Sequence, residues 1–198
     1  MRTVDPVKHA EKKRHITDTA AGLFARQGFD RTTVADICRA AGISTGSLFH
    51  YFPTKRAVFR EIFEQDGADN AATFAEARAL SPWDGVLLVV DHLCAPALDR
   101  AVAGLVLEIV TQASRDPELW ELVARNEQVV RDELAGLLHR AHDAGQIALP
   151  VSATTAATWV QGLVDGLYGR LVDPDFDATE QVMTLRLILS RFVGAPAR

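Results

Sequence analysis

Residues 33–56 read TVADICRAAGISTGSLFHYFPTKR, and this stretch decides the fold. Thr33 is followed three positions later by an acidic residue, which is the spacing of a capping box and predicts the start of a helix. Gly42 predicts its end, Ser44 caps a second short helix, and Pro53 stops that helix because proline disfavours helical geometry in the preceding residue. Two short helices joined by a tight glycine turn are typical of a helix-turn-helix, whose second helix can enter a DNA major groove.

The sequence on both sides of this stretch is helical as well. A first helix is expected over about 11–27 after a frayed polar start, and its apolar residues Ile16, Ala20 and Phe24 form one stripe. No later segment shows the alternation of a strand, so the predicted fold class is all-α with about nine helices. The segment 101–114 is apolar almost all round and predicts a buried helix.

Bulk composition is ordinary for a globular protein of 198 residues. The two cysteines, Cys38 and Cys94, lie far apart in apolar helical contexts and are expected to be buried reduced thiols. The charged N-terminus lacks the apolar region of a signal peptide, and no apolar run approaches the ~20 residues of a membrane span. We therefore expect a cytoplasmic protein.

Charge is distributed unevenly along the chain. The formal net charge is −5, which by itself argues against DNA binding. Residues 1–60, however, hold eleven Lys and Arg against five Asp and Glu, whereas residues 61–198 hold ten against twenty-one. A basic front on an acidic body is typical of a DNA-contacting module joined to a part that does not touch DNA.

The N-terminal pattern resembles the TetR family of bacterial transcriptional regulators. The match runs over about forty-five residues with the family's spacing. Two later segments, RDPELWELV (115–123) and LVDGLYGRLVDP (163–174), resemble the AcrR- or BetI-like branch. The matching N-terminal residues are Ala20, Phe24, Gln27, Gly28, Phe29, Thr32, Thr33, Val34, Ile37, Ala40, Ala41, Gly42, Ser44, Gly46, Leu48, Tyr51, Phe52, Lys55 and Val58.

The resemblance implies a domain organisation and a mechanism. Residues 1–54 would form the helix-turn-helix DNA-binding domain, and residues 55–198 a helical ligand-binding and dimerisation domain. A homodimer would repress transcription from a palindromic operator in double-stranded DNA. A small-molecule effector would change the spacing of the two reading heads and release the DNA. A ligand-responsive activator is the alternative.

Side chains around the second short helix are the predicted DNA contacts. Small and hydroxyl residues let the backbone approach the groove and can bond to bases or phosphates, and His50 can donate to either. Tyr51 and Lys55 suit phosphate contacts, as does Thr33 at its helix N-terminus. Relatives often carry a basic residue where this chain has Thr45, which leaves one phosphate contact in doubt. The predicted set is Thr33, Ser44, Thr45, Gly46, Ser47, Leu48, His50, Tyr51 and Lys55.

A second set of residues marks a candidate ligand pocket. Glu108 lies on the apolar segment, and a buried carboxylate needs a partner. A cationic ligand, a neighbouring arginine and a helix N-terminus all remain open as that partner, and the tryptophans suit a core as well as a pocket. The candidate pocket residues are Trp83, His92, Glu108, Thr111, Gln112 and Trp120.

The helical segment 159–170 contains three glycines, Gly162, Gly166 and Gly169, which predict a close helix contact. Glycine inside a helix costs ~1 kcal/mol relative to alanine, so each position needs a reason. TetR-like proteins form a four-helix dimer interface from their last two helices, although packing within one chain is the alternative. The predicted interface residues are Trp159, Gly162, Leu163, Gly166, Leu167, Arg170, Leu185 and Leu189.

Enzyme chemistry finds little support in the sequence. There is no nucleophile–base spacing, no phosphate-binding glycine loop and no metal quartet, so we expect neither catalysis nor a cofactor. His139 and His142 stand beside Asp143 at a spacing that suits a metal, but a polar helix face explains them equally well. An architectural DNA-binding protein without an effector would not need the long acidic C-terminal part.

Overall fold

The computed structural model describes residues 5–99 and 101–195, and its regular structure is helical. These residues form nine α-helices and one short 3₁₀ helix, Ala95–Leu98, with no strand in the same ranges, which confirms the all-α prediction. The helices are α1 (Pro6–Gln27), α2 (Val34–Ala40), α3 (Thr45–Tyr51), α4 (Lys55–Ala79), α5 (Pro82–Cys94), α6 (Val102–Ala113), α7 (Pro117–Asp143), α8 (Ala153–Arg170) and α9 (Ala178–Phe192).

The first helix starts earlier than the sequence pattern predicted. Asp5 is the N-cap of α1, and its carboxylate accepts a hydrogen bond from the Val7 amide at 3.1 Å. Pro6 occupies the first helical position, where a missing N–H costs nothing and the fixed φ suits the helix. The expectation of a frayed segment up to residue 10 was therefore wrong from Pro6 onward, because the cap and the proline stabilise this turn.

Contacts divide the chain into two compact units, each with its own core. The first unit comprises the chain up to Gly67 together with Gly104–Val123, and the second comprises Ala68–Ala103 together with the chain from Ala124 onward. The functional boundary between residues 54 and 55 was drawn from the DNA-binding motif and stays a prediction.

Three phenylalanines from different segments form the centre of the first unit. The ring centroids lie 5.3 Å apart for Phe24 and Phe29, 5.2 Å for Phe24 and Phe59, and 5.1 Å for Phe29 and Phe59. Ile37 on α2 and Leu48 on α3 are fully buried in the same core. The helix-turn-helix is thus packed onto α1 and the first turns of α4.

The helix α6 lies against α1 at very close range. A Cβ added at Gly104 would fall 1.9 Å from the carbonyl oxygen of Ala25, so only glycine permits this approach. Its opposite side is open, and Leu107 and Val110 are 58% and 67% exposed. The prediction of a buried helix was wrong for this side, because an almost uniformly apolar sequence does not reveal that one side lacks a neighbour.

A buried carboxylate joins the start of α4 to the turn between α6 and α7. Asp116 accepts hydrogen bonds from Arg56 at 3.0 Å and from Arg60 at 2.8 Å, and it also accepts from the Leu119 amide at 3.2 Å. Arg60 donates to Glu118 as well. Hydrogen bonds from Arg60, then from Arg56 and the Leu119 amide, lower the pKa of Asp116 to about 2, although burial opposes them.

The core of the second unit is built mainly from α5, α7, α8 and α9. Trp83 is buried there, and its backbone N–H donates to the Gln146 side chain at 2.9 Å. Gly85 permits a close crossing, since an added Cβ would lie 2.5 Å from the Ala77 carbonyl oxygen. Cys94 is fully buried, and burial raises the pKa of its thiol to about 11, as expected for an inert thiol.

We predict that Asp116→Asn lowers the free energy of unfolding by about 1–2 kcal/mol at pH 7, because the two arginines lose their carboxylate. The folded pKa of Asp116, about 2, lies below its ordinary value of 3.8. The contribution of this group is therefore complete above pH ~5 and is lost as the pH falls towards 2. Denaturant unfolding at a series of pH values should show the difference between wild type and variant shrinking over that range.

The matched control is Asp143→Asn, which removes a carboxylate from the exposed pair with His139. Exposed pairs contribute little, so this change should cost less than about 0.5 kcal/mol at pH 7. Equal losses in the two variants, or a loss at Asp116 that persists unchanged at pH 2, would contradict the assigned role.

Candidate nucleic-acid interface

The start of α2 is fixed by the predicted capping box. The Thr33 hydroxyl accepts from the Asp36 amide at 3.1 Å and donates to the Asp36 carboxylate at 2.6 Å, while the Thr33 amide donates to the same carboxylate at 3.0 Å. These hydrogen bonds from Thr33 lower the pKa of Asp36. The N-cap prediction is confirmed, and the Thr33 hydroxyl proton is already engaged within the chain.

The turn between α2 and α3 depends on one glycine. Gly42 has φ +63°, a conformation that residues with a Cβ rarely adopt. The Ile43 amide then donates to the Cys38 carbonyl at 3.0 Å and closes the turn. Ser44 caps α3 as predicted, since its hydroxyl accepts from the Ser47 amide at 3.1 Å.

The outer side of α3 carries small, polar and aromatic residues. Thr45, Gly46, Phe49 and His50 are exposed, whereas Ser47 and Tyr51 are half-buried. A Cβ added at Gly46 would have no neighbour closer than 4.0 Å. The structure thus leaves the backbone at the start of α3 uncovered.

Leu48 requires a correction among the predicted DNA contacts. Its side chain is fully buried in the core of the first unit, so it cannot reach a groove. The i, i+4 spacing of Leu48 and Phe52 also indicates that both face inward, against the DNA-contact assignment of Leu48. Its role is to anchor α3 to the core of the first unit.

Lys55 is largely engaged within the chain. Its ammonium donates to the carbonyls of Phe29 at 2.6 Å and Thr32 at 2.7 Å, and it lies 4.2 Å from the Phe29 ring centroid. Burial lowers the pKa of Lys55, while Asp30 and Glu108 oppose that shift. An ammonium has three protons, so one donor is left over, and the phosphate-contact role of Lys55 stays a prediction.

Tyr51 has ring neighbours on two helices. Its ring centroid lies 5.2 Å from that of His50 on α3 and 4.6 Å from that of His9 on α1. Sequence reasoning missed His9, because a contact between residues so far apart in sequence leaves no local pattern. The proline and cap at the start of α1 were the available signal that His9 is helical.

The candidate pocket residues do not come together in one unit. Trp83 lies in the core of the second unit, and His92 of the same unit has its Nε2 2.9 Å from the Asn70 side-chain oxygen. Trp120 belongs to the first unit and is 62% exposed. Trp83 packs in a core and Trp120 is exposed, and the effector-pocket role of both tryptophans stays a prediction.

Glu108 has partners within the first unit. Its carboxylate accepts from the Gln112 amide group at 3.4 Å and is close enough to Lys55 to favour the charged ammonium. It also lies against Gly28, where an added Cβ would be 2.9 Å from a carboxylate oxygen. Thr111 is exposed and donates to the Leu107 carbonyl. The effector roles of Glu108, Gln112, Thr111 and His92 stay predictions.

The predicted dimer residues on α8 fall into two groups. Trp159 is 64% exposed, and Gly162 and Gly166 are exposed with open space where a Cβ would be. Arg170 is exposed and pairs with Asp173. Leu163 is half-buried and Leu167 is buried against the core, so Leu167 is corrected to a core residue.

On α9 the two predicted interface residues face the core of the second unit. Leu185 and Leu189 are buried in the second core, whereas Met183, Leu187 and Ile188 are exposed. Both sides of this helix carry apolar residues at helical spacing, so periodicity cannot tell which side meets the core. Leu185 and Leu189 are therefore corrected to core residues.

Metal binding and membrane insertion are two further possibilities for the described ranges. No group of three or more His, Cys, Asp or Glu side chains there has an arrangement that would hold a metal ion. None of the helices described has the length and apolar character to cross a membrane.

Comparison with known proteins matches both halves of the chain. The family model described as "Bacterial regulatory proteins, tetR family" matches residues 16–62. The model described as "BetI-type transcriptional repressor, C-terminal" matches residues 84–194, which is more than half of the chain.

Individual relatives agree with these models. The HTH-type transcriptional regulator UidR of Escherichia coli (strain K12) is 26% identical over 166 residues, covering 81% of this chain and 80% of UidR. The HTH-type transcriptional repressor AcnR of Corynebacterium diphtheriae is 25% identical over 186 residues, covering 93% of this chain and 94% of AcnR. A putative transcriptional regulator from Saccharomonospora viridis, solved in complex with choline, shares the fold with a TM-score of 0.78 at 20% identity, covering 93% and 98% of the two chains.

The models describe regulators and the named relatives are regulators, not enzymes. With the capped helix-turn-helix that the structure displays, they establish that the chain belongs to the TetR family of bacterial transcriptional regulators and carries a BetI-type C-terminal domain.

Proposed function

We propose that the protein is a homodimeric repressor that binds a palindromic operator through α3 and is released by a small-molecule effector. The observation that carries the proposal is the outer side of α3, where the first turn presents an uncovered backbone at Gly46 beside exposed Thr45. We infer that it acts in the cytoplasm, where bacterial DNA is accessible.

The contacts divide by chemistry. Thr45, Ser47 and His50 have donors and acceptors that suit base edges, and each of these bonds specifies a base only weakly. The Tyr51 hydroxyl, the Ser44 hydroxyl and the remaining Lys55 proton suit phosphate oxygens. Close backbone approach at Gly46 and the fixed separation of two half-sites would then supply much of the operator specificity.

The proposed dimer is supported by the exposed sides of α8 and α9 in the second unit. Trp159, Gly162 and Gly166 recur at helical spacing along α8, and the chain itself does not cover them. On α9 the apolar residues Met183 and Leu187 are exposed in the same way. Small residues beside large apolar ones suit close packing of two helices, so we propose a second copy of this chain as the partner.

Two-fold symmetry connects the dimer to the operator. Two identical subunits related by a two-fold axis present two identical α3 helices, and such a pair recognises two inverted half-sites. The proposed operator is therefore palindromic, with half-sites separated by about one helical turn or a multiple of it.

Gly46→Ala tests the DNA-binding surface. The added methyl has free space within the chain and alanine favours a helix, so stability should be unchanged or rise by up to about 1 kcal/mol. Against a duplex selected by the wild-type protein from a random pool, affinity should fall about tenfold, because the methyl separates the backbone from the groove. Fluorescence anisotropy measures the affinity, and thermal unfolding measures the stability.

The control for this variant is Gly136→Ala on α7, another exposed helical glycine with no neighbour within 4 Å. It should stabilise the protein similarly and leave DNA affinity unchanged. Wild-type affinity in Gly46→Ala would refute close approach of α3 to DNA.

Gly166→Trp tests the dimer surface. The indole has room in the isolated chain, so the variant should fold, but it would hold two α8 helices apart. We expect the dimer dissociation constant to rise at least tenfold, since overpacking of a helix interface costs about 1–3 kcal/mol. Sedimentation velocity over a range of concentrations measures it, and circular dichroism checks the fold.

Gly136→Trp places the same side chain at an open position on α7 and should leave the dimer intact. Equal weakening by both tryptophans would show that the effect is not specific to α8. An unaltered dimer in Gly166→Trp would rule out this interface.

The effector is proposed from the family and from the choline complex of the Saccharomonospora viridis regulator. A small-molecule extract of the bacterium that naturally carries this protein, matched in ionic strength to the buffer, should weaken binding to the duplex selected by the wild-type protein. Matching matters because phosphate contacts make DNA affinity strongly dependent on salt. Choline is the first pure compound to test. An affinity that no fraction of the extract changes would oppose effector-controlled release.

A further inference from the structure

We infer that His9, in the first turns of α1, is a positioning residue for DNA recognition. The rings of His9 and His50 together hold the Tyr51 ring in the orientation in which α3 meets the operator. The inference rests on the proposed function, because it takes the outer side of α3 as the DNA-contacting surface. Its new element is that the N-terminal turn of α1 takes part in recognition without itself touching DNA.

Three rings from two helices form a closed cluster. The His9 ring centroid lies 4.6 Å from that of Tyr51 with the planes tilted by 36°, and 6.1 Å from that of His50 in an edge-to-face arrangement. His50 and Tyr51 are 5.2 Å apart, also edge to face. Each ring therefore contacts the other two, and two of the three belong to α3.

The position of His9 is itself well fixed. Asp5 caps α1 through the Val7 amide, Pro6 begins the helix, and the His9 amide donates to the Asp5 carbonyl at 3.0 Å. Further along α1, the His15 ring lies 3.2 Å from the Ala41 carbonyl oxygen at the end of α2. Lys13, one turn after His9, has its ammonium 5.7 Å from the ring centroid of Phe52, the residue that ends α3. The first half of α1 is thus attached to the helix-turn-helix at several places, and His9 contacts the ring of Tyr51.

The end of α3 needs such support. The helix has only seven residues, which is too short to be stable by itself. Tyr51 is its last residue, and Phe52 beyond it is already extended. A tyrosine at a helix end has more than one accessible side-chain orientation, and binding must select one. Packing on His9 makes that selection before DNA arrives, which reduces the entropy cost of binding.

The imidazole of His9 also has a direct alternative role, since a histidine can donate to a phosphate. The two roles differ in their chemistry. A positioning ring is replaceable by another flat ring, and its effect disappears when Tyr51 is removed. A phosphate contact is lost with any apolar ring, and its loss reduces the dependence of log affinity on log salt concentration by about 1.

The experiment measures affinity for the duplex selected by the wild-type protein, at several KCl concentrations, by fluorescence anisotropy. We expect His9→Ala to weaken binding about fivefold with an unchanged salt slope, and His9→Phe to bind within twofold of wild type. In a Tyr51→Ala background, His9→Ala should change affinity by less than twofold. Val7→Ala, at an exposed position of the same turn, should bind like wild type.

Several results would overturn the inference. Wild-type affinity in His9→Ala does so directly. Weak binding by His9→Phe with a reduced salt slope assigns His9 to a phosphate instead. An equal loss from His9→Ala with and without Tyr51 shows that it does not act through that ring. If Tyr51→Ala and Gly46→Ala both bind like wild type, the proposed recognition surface is wrong, which is distinct from a failure confined to His9.

Discussion

The contact of the Lys55 ammonium with two carbonyl oxygens is the interaction on which the DNA-binding unit depends. The carbonyls belong to Phe29 and Thr32, in the turn that leads from α1 into α2. A backbone carbonyl withdrawn from water needs a donor. The Phe29 carbonyl also accepts from the Thr32 amide at 3.2 Å within the turn, and Lys55 adds a charged donor to it. Lys55 is the first residue of α4, immediately after the helix-turn-helix. The Lys55 side chain, which follows the helix-turn-helix, thus fixes the turn that precedes this motif. The Phe29 ring in contact with the ammonium belongs to the central phenylalanine cluster.

This arrangement changes how the charge of the N-terminal segment is understood. By sequence, residues 1–60 are strongly basic. In the structure, Arg56 and Arg60 are paired with Asp116, Lys13 is paired with Glu61, and Lys55 is occupied by carbonyls. Each of these acidic partners lies beyond residue 60, so a count by segment overestimates the positive charge that remains for DNA. Several basic residues of the segment hold the unit together, so the proposed recognition of DNA would rely more on the shape of α3 than the sequence count suggested.

What the sequence predicted well is what local chemistry determines. Caps at Thr33 and Ser44 and the turn at Gly42 depend on residues within a few positions of each other, and the structure has each of them as predicted. The features that the sequence predicted poorly depend on contacts between residues far apart along the chain. Both sides of α9 are apolar, so only the packed core shows that Leu185 faces inward, and the contact of His9 with α3 joins residues more than forty positions apart.

The glycines of the helices separate by what surrounds them. At Gly104 and Gly85 a Cβ would meet a backbone carbonyl of the same unit, so the chain itself accounts for the helix stability lost there. At Gly46, Gly162 and Gly166 an added Cβ would meet open space, so no contact inside the chain accounts for the helix stability that glycine costs there.

Openness alone does not identify a contact surface, since a Cβ at Gly136 would have equally free space. The neighbouring side chains give further information about the partner. Gly46 lies beside the exposed hydroxyl of Thr45, and Gly162 and Gly166 lie on the same side of α8 as the exposed Trp159. A hydroxyl suits a hydrated, charged partner and an indole suits an apolar one. We therefore assign the two groups of uncovered glycines to the two different partners proposed above, nucleic acid at α3 and a second copy of the chain at α8.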